Sequence, residues 1–256
     1  MTPLAEALWH ARQHGGTVQR PDDLWLDDAY AVQAEIAAAS GMEQVGFKVG
    51  STSVEAQRKL GTDEPGAGPL FAPLVHSSPA TISIFPEHLP AIEGEFAVRL
   101  GRDLPPRDTE YSCDEVSDAI EAVAGAIEVV GTRFEKGFAK LGRALVTADG
   151  GANIAFAHAK WATIWRDLDL AHHEVVASIN GEERKRGTGA EVLGHPFNVL
   201  QWLANKLSMD GRGLKAGQIV STGTCTGLIG VKPGDTAVCD FGGLGAVEIQ
   251  FTEAAR

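Results

Sequence analysis

Apolar and polar positions along this chain fall into two textures. Over the first forty residues the spacing is helical: Thr2-Pro3 supplies a cap and a first-turn proline, and "DDAYAVQAEIAAAS" is alanine-rich and stops before Gly41. Two packed helices are predicted there. From "VGFKVGSTS" onward, short β-branched runs broken by Gly and Pro take over, with helical interludes predicted at about 114–125 and 196–207. The later interlude is clearly punctuated. Pro196 suits a first turn, and Phe197, Leu200, Leu203, Ala204 and Leu207 recur at helical spacing before Gly211. "EVVASIN" reads as a strand and "EERKRG" (182–187) as a solvated turn after it, while "GDTAVCDFGGLGAVEIQF" reads as two strands joined by a glycine-rich turn. No linker, repeat or low-complexity tract interrupts a body that is mostly β with helices attached.

The strand pattern raises a chemical question at "AIEGEFAVRL" (91–100). Residues i and i+2 of a strand share a face, so Glu93 and Glu95 project together while Ile92, Phe96, Val98 and Leu100 turn the other way. A solvated polar face is the ordinary reading. Glu128 changes the picture, because in "AGAIEVVGTRF" it is flanked by Ala126, Ile127, Val129 and Val130, and a buried carboxylate needs a partner or a metal. Three carboxylates converging from two strands suit a hard divalent cation, with its remaining positions left to water or a chelating substrate. An ion pair of Glu128 with Arg133 or Arg99 fits the same residues. Lys48, between Phe47 and Val49, either serves proton transfer or a substrate carboxylate, or points outward from an edge strand. Asp149 in "VTADGGANIAF" and the "STGTCTG" loop (221–227) complete the candidates, since glycine and small hydroxyl residues let backbone N–H groups approach an anion.

Composition narrows the function classes. A chain of 256 residues, 44% hydrophobic and 22% charged, can bury a sizeable core. No stretch approaches the ~20 apolar residues of a membrane span, and "MTPLAEALWHARQHGG" lacks the basic-then-apolar order of a secretory signal. A cytoplasmic protein with no membrane partner is the default expectation. Cys113, Cys225 and Cys239 are odd in number and widely spaced, against a disulfide framework or a cysteine-ligated zinc. The formal net charge of -12 repels a phosphate backbone, so nucleic-acid binding is not expected. "GTGAEVLG" follows a polar "ERKR" and lacks the third glycine of a dinucleotide fingerprint; His172-His173 has no metal-ligand spacing, and no "GxSxG" elbow occurs.

Taken together and in order, "GFKVGSTS", "EGE" (93–95), "AIEVVGTR", "TADGGAN", "GTGAEVLGHPFNVLQWLANKL" and "IVSTG" resemble the 2-keto-4-pentenoate hydratase branch of the fumarylacetoacetate hydrolase superfamily. The resemblance runs from about Gly46 to the C-terminus. It implies an α+β fold, a mixed β-roll over 46–256 with residues 1–40 as a helical N-terminal extension, the whole of 1–256 forming a single catalytic domain. It further implies Mg²⁺ or Mn²⁺ held by Glu93, Glu95 and Glu128, Lys48 as an active-site lysine, and Thr222-Gly223 holding the substrate carboxylate. A small-molecule 2-oxoacid substrate and a homo-oligomer are expected. The reaction implied is addition of water to a 2-hydroxy-2,4-dienoate, with Lys48 and Asp149 handling charge and protons. The same enolate chemistry serves a 2-oxo-enedioate decarboxylase or a β-diketo acid hydrolase, and a non-catalytic binding protein is the remaining alternative. One position departs from the pattern. Where such hydratases carry an acid after "DEP", this chain has Gly66, leaving Asp63, Glu64 or Asp149 as substitutes.

Overall fold

In the computed structural model, which describes residues 1–256, both predicted N-terminal helices form. Helix α1 (Pro3–His14) begins at Thr2, whose hydroxyl accepts from Ala5 N, and α2 (Leu26–Ser40) ends on Gly41 in the left-handed region. Ala5, Leu8, Ala29, Val32 and Ile36 form a small core of their own against Phe134, Leu141 and Ala148 of the body. No helix is long and apolar enough to cross a membrane.

The body follows in chain order as β1 (Gln44–Gly50), α3 (Val54–Leu60), β2 (Gly66–Phe71), β3 (Val75–Ser77), β4 (Ala80–Ile84) and β5 (Ala91–Leu100). Next come α4 (Cys113–Asp118), β6 (Ile120–Val130), α5 (Gly142–Ala148), β7 (Asn153–His158), β8 (Glu174–Ile179) and β9 (Glu182–Thr188). The chain closes with α6 (Pro196–Met209), β10 (Ile219–Thr224), β11 (Ile229–Gly230), β12 (Thr236–Asp240) and β13 (Ala246–Glu253).

Two mixed sheets result. The larger has the order β2-β1-β10-β5-β6-β7-β3, with β11 added to β5, and the smaller runs β4-β13-β12-β8-β9. Their facing sides share the main core. Ile92, Phe96 and Val98 of β5 and Val123, Ile127 and Val129 of β6 belong to one cluster with Val175, Ala177, Ala237, Cys239, Val247 and Ile249 of the smaller sheet. Alternation therefore sends Glu93, Glu95 and Glu128 to the opposite side of the larger sheet.

Two sequence expectations give way to tertiary context. The interlude expected to be helical at about 114–125 stops at Asp118, after a Ser112–Glu115 capping box, because Ile120 onward pairs antiparallel with β5 along its whole length. Its Ala-rich run has no periodicity that separates a buried strand from a helix. "EERKRG" is strand β9 rather than a turn; the turn is Asn180-Gly181, both at positive φ, and the charged side chains protect an exposed edge. α6 forms as predicted, capped by the His195 ring on Phe197 N.

Beyond the end of β6, Arg133 fixes the segment that leads to α5. It is fully buried. Its Nε donates to Asp149 Oδ1 at 2.5 Å, its backbone N to Asp149 Oδ2 at 2.9 Å, and its Nη2 to the Asp149 carbonyl at 2.7 Å. Arg12 of α1 adds a bond to the Asn153 carbonyl at 2.9 Å, so the helical extension is tied to the same turn. Removing one partner of a buried pair strands the other charge. Arg133→Met is expected to lower unfolding free energy by about 3–5 kcal/mol in urea titration. Glu121→Ala, which breaks the surface pair with Arg99, should shift it by less than about 1 kcal/mol.

Candidate metal centre

Five adjacent strands of the larger sheet each contribute to one site. β5 and β6 pair so that Glu93 stands directly opposite Glu128, with Glu95 one pleat further along β5. One oxygen from each of the three carboxylates lies within 4.8 Å of the others. Glu95 and Glu128 are essentially without solvent contact, and Glu93 keeps partial exposure.

Neighbouring strands orient these carboxylates. In β10 the register with β5 slips between Ser221 and Thr224, placing one extra residue in that strand. This bulge turns Gly223, at φ +100°, so that its N–H donates to Glu95 Oε2 at 3.1 Å, and the Ser221 hydroxyl donates to the same oxygen. Glycine is required there twice over, by its φ and because a Cβ would sit 2.1 Å from Thr52 Oγ1. From β7, Asn153 Nδ2 donates to Glu128 Oε1 at 2.8 Å. Lys48 lies on β1, which is paired on both sides, so it is not an edge residue. Its Nζ donates to the Gly151 carbonyl at 2.9 Å and stands 3.2 Å from Glu128 Oε2.

Charge is strongly concentrated here. Burial and the charge of Glu128 push Glu93 up to about 7, and burial with both neighbouring carboxylates pushes Glu95 far above the ordinary range. Glu128 is raised by burial, against the pull of Lys48 and Asn153. For Lys48 burial acts downward, but Glu128, Glu93 and Glu95 outweigh it and hold the ammonium above its ordinary value. Glu95 Oε1 is buried with no polar partner, and Glu128 Oε2 is buried with only the Lys48 ammonium near it, at 3.2 Å. One lysine opposes three carboxylates. The donor set of hard oxygens, one of them wholly unpartnered, therefore fits a divalent cation. Its other side is a cavity of about 440 Å³, bordered by Lys48, Glu93 and Glu95, by Ser51, Thr52 and Thr224, and on its far side by α3, α5 and the 138–140 loop.

The structure thus brings together Glu93, Glu95, Glu128 and Lys48. It places three other sequence candidates differently. Both carboxylate oxygens of Asp149 are occupied by Arg133, and its side chain does not line the cavity. Thr222 directs its hydroxyl to the Phe96 carbonyl, at 2.8 Å, and the Gly223 N–H is held by Glu95. The "STG" loop therefore binds an anion, but that anion is the protein's own carboxylate. The suggested ion pairs of Glu128 with Arg133 or Arg99 do not form, since those arginines face Asp149 and Glu121. Asn153 and Arg143 were not among the sequence candidates, and Ser221 was one only as part of the 221–227 loop; nothing in the sequence connects Arg143 to Gly66.

Comparison with known proteins gives a consistent picture. Residues 45–252 match the family described as fumarylacetoacetate (FAA) hydrolase C-terminal. The 2-keto-4-pentenoate hydratase of Paraburkholderia xenovorans (strain LB400) is 34% identical over 264 aligned positions, covering 98% of this chain and 96% of the relative. The 2-hydroxyhexa-2,4-dienoate hydratase of Comamonas testosteroni is 31% identical over 255 positions, covering 98% and 95%. Among solved structures, 4-oxalocrotonate decarboxylase from Pseudomonas putida G7, complexed with magnesium and adipate, superimposes with a TM-score of 0.87 at 30% identity, covering 97% of this chain and 95% of that one.

The raised value of Glu93 sets a pH dependence for the metal-free protein. Its folded value of about 7 lies above the ordinary 4.5, so between these pH values the native state holds the proton that the unfolded chain has lost. Stability from this group is present at low pH and is lost as pH rises through about 7. In EDTA, Glu93→Gln should melt higher than wild type at pH 7.5, and the difference should vanish by pH 4.5 in thermal scans. Equal melting temperatures at both pH values would contradict the assignment.

Proposed function

Because this chain belongs to the fumarylacetoacetate hydrolase family, in its 2-keto-4-pentenoate hydratase branch, we propose that it is a hydro-lyase adding water to a 2-hydroxy-2,4-dienoate to give a 4-hydroxy-2-oxoacid. The observation that carries this reading is the convergence of Glu93, Glu95 and Glu128 at the wall of a cavity large enough for a small acid. Glu93, Glu95 and Glu128 would hold the ion, with Mg²⁺ or Mn²⁺ suited to oxygen ligands. When bound, it supplies Lewis-acid polarisation of the carboxylate and 2-oxo group of the substrate.

The chain's own groups divide the remaining work. Ser221 Oγ, Gly223 N and Asn153 Nδ2 lock the carboxylates in one orientation, so little rearrangement accompanies binding. Lys48 offsets part of the negative charge and borders the cavity, where its ammonium can hold substrate charge and pass a proton to the dienol carbon. Val130, Phe138, Val146 and Leu228 give the cavity an apolar side that shields the hydrocarbon chain from bulk water. Ser51, Thr52 and Thr224 offer hydroxyls to position the attacking water. Asp63, Glu64 and Asp149 do not line the cavity. The chain thus replaces the usual acid after "DEP" by none of the three, and Asp149 acts as a positioning residue through Arg133.

The test is an ultraviolet assay of 2-hydroxypenta-2,4-dienoate consumption with Mg²⁺ or Mn²⁺, with the 4-hydroxy-2-oxoacid identified by NMR. Turnover abolished by EDTA and restored by either ion is the expected result; metal-independent turnover would contradict it. Glu128→Ala should remain folded and lose cation binding in calorimetry. Lys48→Met should retain cation binding while turnover falls by about 10²–10⁴-fold, as for a lost acid/base group.

A further inference from the structure

Arg143 is the second buried cation of the cavity, and it has no counter-ion. It projects from α5, is nine-tenths buried and lines the cavity. Its Nη2 donates to the Pro65 carbonyl at 3.0 Å and to the Tyr30 hydroxyl at 3.1 Å, both neutral acceptors. Its Nε is buried without any partner, and no carboxylate forms an ion pair with it. A guanidinium taken out of water in this way is stabilised only when an anion joins it. Arg133, which is more deeply buried still, has its charge answered by Asp149.

The position of Gly66 belongs to the same arrangement. A Cβ built on Gly66 would lie 1.5 Å from Nη1 and 2.0 Å from Cζ of Arg143, so the guanidinium lies flat against the backbone and only glycine leaves room for it. Where the sequence pattern leads one to expect an acid, this chain has an empty position filled by a cation from another element. Gly66 pairs with Gly50, two residues along β1 from Lys48. A Cβ on Gly50 would lie 3.3 Å from Lys48 Nζ, so the ammonium and the guanidinium flank facing positions of the β1–β2 pair, the ammonium on the side of the carboxylate cluster and the guanidinium on the side of α5. Lys140 borders the same cavity and adds positive potential, whereas the charge of Lys59 is answered by Glu55 at 2.6 Å.

We infer that Arg143, admitted by Gly66, is a binding site for a second carboxylate at the far end of the substrate. The substrate class is then a 2-oxo-dicarboxylate, or the corresponding 2-hydroxydienedioate, with one acid group at the glutamate cluster and the other in the fork of the guanidinium. This inference rests on the hydratase reading of the glutamate site and specifies which acids that site receives. A monocarboxylic dienoate would leave Arg143 desolvated and unpaired, so the cavity discriminates against it.

Two ligands that differ only at the far end separate the two sites. With Mg²⁺-loaded protein, calorimetry should give 2-oxohexanedioate at least about tenfold tighter binding than 2-oxohexanoate, the gain of a charge-assisted contact. Arg143→Met should erase that preference while leaving 2-oxohexanoate within about twofold. Arg143→Gln, which keeps a polar head group near the Pro65 carbonyl and the Tyr30 hydroxyl but removes the charge, should do the same, giving a second variant if the first fails to fold. Equal affinities in the wild type, or a preference that survives both substitutions, would overturn the Arg143 site alone. Failure of either ligand to bind the metal-loaded wild type would overturn the glutamate-site reading and this inference with it.

Discussion

Three carboxylates sharing one small, nearly dry volume repel each other and resist the loss of water, and the architecture of this chain is organised around holding them there. No flexible loop could impose that proximity. It is imposed by the antiparallel register of β5 and β6, which sets Glu93 against Glu128, and by the apolar residues at alternate positions, which lock the same two strands to the second sheet. A one-residue slip would put Ile92 and Gly94, or Gly94 and Phe96, in the places of Glu93 and Glu95, so burial of the core and convergence of the acids are enforced by the same pairing. The bulge in β10 and the reach of Asn153 from β7 finish the task by assigning a donor to one oxygen of each fully buried acid. The other oxygen of Glu95 is left without one, and that of Glu128 has only the Lys48 ammonium beside it.

Much of this could be read in the sequence, and for physical reasons. Alternation in "AIEGEFAVRL" fixed which residues share a face, and Glu128 was conspicuous because its neighbours were all apolar. Both are short-range properties of a strand. The roles of Asp149, Thr222 and Gly223 were not legible in the same way, since each depends on which partner the fold delivers. Asp149 meets a buried arginine sixteen residues earlier in the chain, and Gly223, expected to hold a substrate carboxylate, donates to that of Glu95. Fold class came from the ordered motifs. The Ala-rich β6 and the charged β9 show where composition gives the wrong impression, because strand pairing from distant segments overrides local preference.

Electrostatics divides the cavity into two regions. On the sheet side negative charge exceeds positive, with Lys48 the lone ammonium beside three carboxylates. On the helical side the most buried cation, Arg143, is fixed by neutral oxygens only. A ligand negative at its far end and able to share a cation at its near end complements both regions. Val130, Phe138, Val146 and Leu228 supply an apolar wall to the same cavity.

Tyr30, which holds the Arg143 guanidinium, belongs to α2, and α5 itself is packed by Leu141 and Ala148 against the two N-terminal helices. The part of the cavity that selects among substrates is thus braced by the helical segment, while the part that performs chemistry is set in the sheet. The two parts are physically separable. Residues along α2, α5 and the start of β2 at Gly66 can be exchanged without touching the β5–β6 register, which makes this corner of the molecule the natural place to begin retargeting it by design.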